Sequence, residues 1–167
     1  CSMFDVGRSA FFPHPHPMNH PTIGIGLAGC GTVGTGVIRI LNRNSGLISA
    51  RTGEKISFEV RRILVRDTGK PRHEEINHQL LTTDWPTLVN DPAVQVVVEL
   101  IGGTDTAFDI AAAALRERKP VVTGNKALLA ERGHELFALS REFDTPIHFE
   151  AAVAGGIPII KAVGESL

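Results

Sequence analysis

Gly29, Gly31 and Gly34 stand at the spacing G-x-G-x-x-G in Gly29-Cys-Gly-Thr-Val-Gly34. Between a strand and a helix, that spacing lets a backbone turn tightly, meet a pyrophosphate closely and bring helix against strand. Gly29 suits the turn, Gly31 the close approach and Gly34 the packing, with Ala28, Thr32 and Val33 in the same loop. A helix starting there offers unpaired N–H groups and a positive dipole end to an anion. A second place for chemistry is Val65-Arg66-Asp67. The planar fork of Arg66 suits a phosphate, whereas Asp67 suits two ribose hydroxyls. Lys70 and Arg72 add positive charge nearby. The expectation is NADP preferred, with NAD accepted. Gly102-Gly103-Thr104 forms a second glycine turn, and Asn125-Lys126 and Glu150 follow later apolar runs.

A chain with 17 glycines in 167 residues can produce the triple by accident, so the flanking residues decide. Ile23, Ile25, Leu27 and Ala28 are strand-like, and Val33, Val37, Ile40 and Leu41 fall on one helical face. The pattern predicts strand 22–28, helix 32–43, a polar loop 42–55, strand 56–66 and a short strand near 80–81. Asp84 reads as the N-cap of a helix with Pro86 inside its start. Val94 to Leu100 is almost continuously apolar, as in a sheet covered on both faces. Thr104 is expected to cap a helix to about 118, with Ala107, Ala111, Ala114 and Leu115 inward. Strand 120–123, helix 126–143 and strand 146–150 complete the alternation. The fold class is therefore α/β: a Rossmann-type, doubly wound, mostly parallel sheet. Its ligand belongs at the carboxyl ends of the strands, the rim on which Gly29–Gly34, Gly102-Gly103, Asn125-Lys126 and Glu150 fall.

Composition narrows the classes. Formal net charge is -1, which gives no electrostatic case for nucleic acid or a membrane surface. Cys1 and Cys30 are too few for a disulfide framework, and a cytoplasmic setting is the default expectation. Cys30, inside the glycine turn with no histidine tied to it, is a poor candidate nucleophile. Residues 1–21 carry four prolines and three histidines between Phe11 and Pro21, which predicts a flexible or polyproline-like tail. His14, His16 and His20 lack the further ligands that a metal site needs. The organisation expected is a tail over 1–21, a dinucleotide-binding domain over 22–150 and, over 151–167, a hinge into a further domain. Both ends read as cut, which predicts a fragment of a longer enzyme.

Six segments occur together in order: G-L-A-G-C-G-T-V-G, R-I-L-V-R-D, L-T-T-D-W, V-V-V-E-L-I-G-G-T, V-V-T-G-N-K-A-L-L-A and F-E-A-A-V-A-G-G-I-P-I-I. From about Thr22 onward the chain resembles homoserine dehydrogenase, over its nucleotide-binding domain and the hinge that follows. The resemblance implies an enzyme of threonine, methionine and isoleucine synthesis. Such an enzyme interconverts L-homoserine and L-aspartate 4-semialdehyde with NAD(P)H and is usually a homodimer or homotetramer. It implies that Arg66 reads the 2′-phosphate, that Gly102, Gly103 and Thr104 approach the nicotinamide ribose, and that Lys126 reaches nicotinamide and substrate. Lys126 is thus the one catalytic candidate, because the family's main proton-transfer lysine belongs to the following domain. A sodium ion held by backbone carbonyls at Glu150, Val153, Gly155 and Ile157 is also implied. This segment alone is expected to bind cofactor without turnover. The alternatives are a cofactor-sensing module and a related amino-acid or semialdehyde dehydrogenase.

Overall fold

The computed structural model describes residues 21–51 and 56–153. Residues 1–20 of the expected tail, and the segment after Val153 with Gly155 and Ile157, lie outside them. Six strands form one sheet: β1 (Thr22–Ala28), β2 (Ser57–Leu64), β3 (Leu81–Thr82), β4 (Val96–Glu99), β5 (Val121–Thr123) and β6 (Ile147–His148). Their order is β3-β2-β1-β4-β5-β6 and every pairing is parallel. The chain winds outward from β1 to β3, returns, and winds the other way from β4. The direction therefore reverses between β1 and β4, where a doubly wound sheet opens its crevice.

The helices are α1 (Thr32–Arg51), α2 (Trp85–Val89), α3 (Asp105–Arg116) and α4 (Lys126–Glu142). One core cluster sets Leu88, Ile110, Leu115, Leu128 and Leu136 with Val97 and Val121 of the sheet. The other gathers Leu27, Ile38, Ile63, Val65 and Ile76. Ala107, Ala111, Ala114 and Leu115 of α3 are fully buried, as their spacing predicts. Burial of one such leucine, isoleucine or valine side chain contributes roughly 1.5–3 kcal/mol.

The helix α1 departs from expectation in length and in face. It runs through the predicted loop to Arg51. No proline interrupts residues 42–51, and Gly46 alone costs only about 1 kcal/mol. Arg39 and Arg43 reach Glu75 at 3.3 and 3.5 Å and tie the helix to the segment after β2. Its inner line is Gly34, Ile38 and Leu41, while Val33 and Ile40 are 63% and 58% exposed. The close approach at Gly34 sets this rotation, because only a residue without a side chain permits it (below).

Strand ends also shift. β2 stops at Leu64, β4 spans only Val96–Glu99, and β6 ends at His148. Glu150 therefore opens a 3-10 turn, Glu150–Ala152, rather than closing the last strand. Asp84 caps α2 as expected, its carboxylate accepting Thr87 N–H at 3.2 Å. Thr104 occupies the cap position of α3, but its backbone is already helical and its hydroxyl makes no capping bond.

Candidate functional site

The carboxyl ends of β1, β2, β3 and β4 enclose a cleft of about 500 Å³. Its floor is the turn after β1. Gly29 has φ +104°, and a Cβ there would stand 2.7 Å from the Leu100 carbonyl oxygen. Gly29 N–H donates to Leu64 O at 3.0 Å and Leu100 N–H donates to Ala28 O at 2.8 Å, clamping the turn between β2 and β4. A Cβ on Gly34 would lie 2.1 Å from the Gly29 carbonyl oxygen, so the first turn of α1 rests on the loop it follows. A Cβ on Gly31 would meet nothing within 4 Å, and the residue lines the open cleft. The helix begins at Thr32, and its first N–H groups have no partner inside the helix. Cys30 is buried, its sulfur 3.8 Å from Thr35 Oγ1.

The wall beyond β2 is cationic. Arg66, Asp67, Lys70 and Arg72 line the cleft. Arg66 and Lys70 are exposed. Arg72 is engaged: its Nη1 donates to Cys30 O at 3.0 Å and its Nη2 to Asp67 O at 2.8 Å. The guanidinium thus joins the glycine turn to the loop after β2, a tie that the spacing of the residues does not reveal. Asp67 turns one carboxylate oxygen onto Gly69 N–H at 2.8 Å. A recess on the outer side shares Cys30, Lys70 and Arg72 and adds Thr32, Arg39 and His73. The sequence reading missed Thr83, Trp85, Ile101 and Thr106 as lining residues. Thr83 directly follows β3 and Trp85 opens α2, and that position after a strand end was the available signal.

Gly102 lines the same cleft, but Gly103, Thr104 and Lys126 do not. They sit farther along the rim, where hydrogen bonds join two turns. Glu99, at the end of β4, is fully buried. Its Oε1 accepts Ile101 N–H at 2.8 Å, and its Oε2 accepts the Thr123 hydroxyl. Thr123 Oγ1 accepts Asn125 N–H at 3.0 Å. Asn125 Nδ2 donates to Ile101 O at 3.1 Å and Gly103 O at 2.7 Å, while its Oδ1 accepts Leu128 N–H and caps α4. Burial pushes the Glu99 carboxyl above the ordinary carboxylate range, and the hydrogen bonds from Thr123, Ile101 and Asn125 offset part of that rise. Lys126 follows Asn125 directly and is exposed.

Of the four carbonyl positions expected around a cation, the structure describes Glu150 and Val153. Glu150 opens the 3-10 turn and Val153 caps its end, its N–H donating to Glu150 O at 3.2 Å. Among the described residues no three His, Cys, Asp or Glu side chains gather as a metal site. No helix among them is long and apolar enough to cross a membrane.

Comparison with known proteins agrees with this architecture. Residues 29–150 match a family model described as homoserine dehydrogenase, NAD binding domain. The chain is 40% identical over 145 residues to homoserine dehydrogenase of Bacillus subtilis, covering 87% of this chain and 33% of that protein. For the Pseudomonas aeruginosa homoserine dehydrogenase the identity is 43% over 149 residues, covering 86% and 32%. The crystal structure of a homoserine dehydrogenase from Thiobacillus denitrificans superimposes with a TM-score of 0.78 at 44% identity, covering 87% of this chain and 33% of that one. The chain thus spans about a third of the length of the relatives it matches.

Proposed function

The chain belongs to the homoserine dehydrogenase family, in which it matches the NAD-binding domain, and on that premise we propose that its cleft binds NADP(H) in preference to NAD(H). The protein carrying it interconverts L-homoserine and L-aspartate 4-semialdehyde. One observation carries the cofactor preference. Arg72 is committed to two backbone carbonyls and Asp67 to its own turn, so the exposed cations Arg66 and Lys70 remain to meet a 2′-phosphate at the end of β2.

When bound, the dinucleotide supplies the hydride carrier. The chain's own residues bind and orient. Gly31 leaves room for the pyrophosphate, and the N–H groups of Thr32, Val33 and Gly34 at the start of α1 face its charge. Gly102, Gly103 and Thr104 receive the nicotinamide ribose. Lys126 presents its ammonium at that end of the rim, where it steadies the substrate oxygen. The proton exchanged with that oxygen is handled from the domain that follows in longer relatives, so this chain alone binds without turnover. The domain division at about residue 150, with the hinge beyond it, is part of the same reading.

Sodium binding at Glu150, Val153, Gly155 and Ile157 is proposed on donor chemistry alone. Hard cations take carbonyl oxygens, and the described half of the loop offers two. No step of the reaction runs through it.

The test is a titration of the chain with NADPH and NADH, followed by the fluorescence of Trp85, its one tryptophan. NADPH is expected to bind more tightly, and Arg66→Ala to weaken NADPH about tenfold, roughly 1.4 kcal/mol, while sparing NADH. Equal binding of both, indifferent to Arg66, refutes the 2′-phosphate reading and moves the choice to Asp67 and NAD. Turnover by this chain free of any longer enzyme refutes the assignment of proton exchange to the following domain. Absence of turnover after that domain is restored favours a sensing module instead.

A further inference from the structure

Glu99 is the one charged side chain that is fully buried among the described residues, and none of their Lys, Arg or His groups pairs with it. A buried carboxyl without a cation disfavours folding relative to an apolar residue of similar size, so its retention calls for a positional account. Its two oxygens join different elements. Oε1 holds Ile101 N–H, at the start of the turn after β4. Oε2 takes the Thr123 proton, at the end of β5.

With that proton committed, the Thr123 oxygen is left to accept, and it accepts Asn125 N–H. That bond holds the Asn125 backbone, and the sense of its side-chain amide is fixed by the backbone groups it meets. Its nitrogen faces the Ile101 and Gly103 carbonyls, and its oxygen faces the first turn of α4. One buried carboxyl therefore anchors a chain of bonds that runs through Thr123 and Asn125 and ends at Gly103 and at the first turn of α4. Gly103 has φ +86°, and a Cβ on Gly102 or Gly103 would meet nothing within 4 Å. The turn is tied from beneath and open above, as a backbone that receives a ligand must be.

We infer that Glu99 is a positioning residue for the nicotinamide half of the dinucleotide, acting through Thr123 and Asn125 on the Ile101–Thr104 turn and the start of α4. This rests on the dinucleotide reading above. It separates the site into two halves. The adenosine half is held by the Arg72 tie, and the nicotinamide half by the Glu99 network.

The experiment compares wild type, Thr123→Val and Glu99→Gln with two ligands. NADPH occupies both halves, whereas 2′-phospho-ADP-ribose lacks the nicotinamide. Valine keeps the shape of threonine and removes only the hydroxyl that joins Glu99 to Asn125. Thr123→Val is expected to weaken NADPH about tenfold and to leave 2′-phospho-ADP-ribose within about twofold. Glu99→Gln keeps an acceptor for Ile101 N–H and is expected to retain part of the NADPH affinity. Amide hydrogen exchange, read by NMR on the ligand-free protein, supplies the second measurement. In Thr123→Val, Asn125 N–H is expected to exchange about tenfold faster relative to the amides of β1. Equal weakening of both ligands means that the substitution acts on the fold, and overturns the positioning role. So does unchanged NADPH binding, or unchanged exchange at Asn125. Wild type that binds neither ligand overturns the dinucleotide reading and this inference with it, whereas normal wild-type binding with indifferent variants overturns this inference alone.

Discussion

The three glycines of the β1 turn have separable roles, and alanine substitution at each makes the separation measurable. At Gly34 the added methyl carbon would stand 2.1 Å from the Gly29 carbonyl oxygen and 3.0 Å from its carbon. The atom in the way is backbone, clamped on both sides by the Gly29–Leu64 and Leu100–Ala28 hydrogen bonds. No rotamer change relieves the clash, so either α1 lifts or the turn distorts. Forced overpacking of a tight contact costs about 1–3 kcal/mol, and a rigid backbone neighbour puts Gly34→Ala at the upper end, about 3 kcal/mol. Cofactor binding is expected to fail with it, because the proposed pyrophosphate site lies on that turn. At Gly31 the methyl group meets nothing within 4 Å, and the fold should keep its stability to within about 0.5 kcal/mol. The methyl group projects into open space at the cleft, where it is expected to hold the proposed pyrophosphate off the backbone. Loss of one hydrogen bond to a charged group, about 1.5–3 kcal/mol, weakens binding by roughly 10- to 150-fold. Gly36 is the control. It lies inside α1 with nothing within 4 Å, and alanine there should stabilise by about 0.5–1 kcal/mol through helix propensity, without affecting binding. Urea unfolding and NADPH titration, both followed at Trp85, read the two quantities on the same protein. A Gly34→Ala variant within about 0.5 kcal/mol of wild type, or a Gly31→Ala variant that binds NADPH normally, would refute the reasoning.

Arg72→Ala removes two hydrogen bonds from a charged donor and is expected to cost about 1–3 kcal/mol in urea unfolding, after relief of its unpartnered Nε. Because it loosens the loop rather than a phosphate contact, NADPH and NADH should weaken together; selective loss of NADPH would make Arg72 a phosphate ligand instead. Glu99 carries a raised carboxyl pKa, so its stabilising contribution is complete below the unfolded value of about 4.3 and is lost as pH rises through the folded value. Glu99→Gln mimics the protonated form, so unfolding free energies measured from pH 4 to 8 should move in favour of the variant as pH rises, and a constant difference would contradict the shift. Asp84→Ala removes the cap of α2 and should lower stability by about 1 kcal/mol, visible as a lower melting temperature.

The sequence by itself determined whatever depends on neighbours along the chain. Alternating apolar runs and helical periods dictated a parallel α/β sheet, because each such segment has one way to bury itself. The glycine spacing located the turn after β1, because φ +104° at Gly29 and the approach at Gly34 admit hardly any other residue. Asp84 was legible as a cap for the same local reason. Tertiary structure decided the rest. Which face α1 buries was set by Gly34 against the Gly29 carbonyl and not by the apolar stripe of Val33, Val37, Ile40 and Leu41, of which Val33 and Ile40 remain exposed. Arg72 looked like one more loop cation, yet its partners stand 42 residues before it at Cys30 and five before it at Asp67. Glu99 looked like a polar interruption of an apolar strand, and its meaning comes from Thr123, 24 residues later on the neighbouring strand. Hydrogen-bond partners across a sheet are chosen by strand order, and no local period in the sequence records that order.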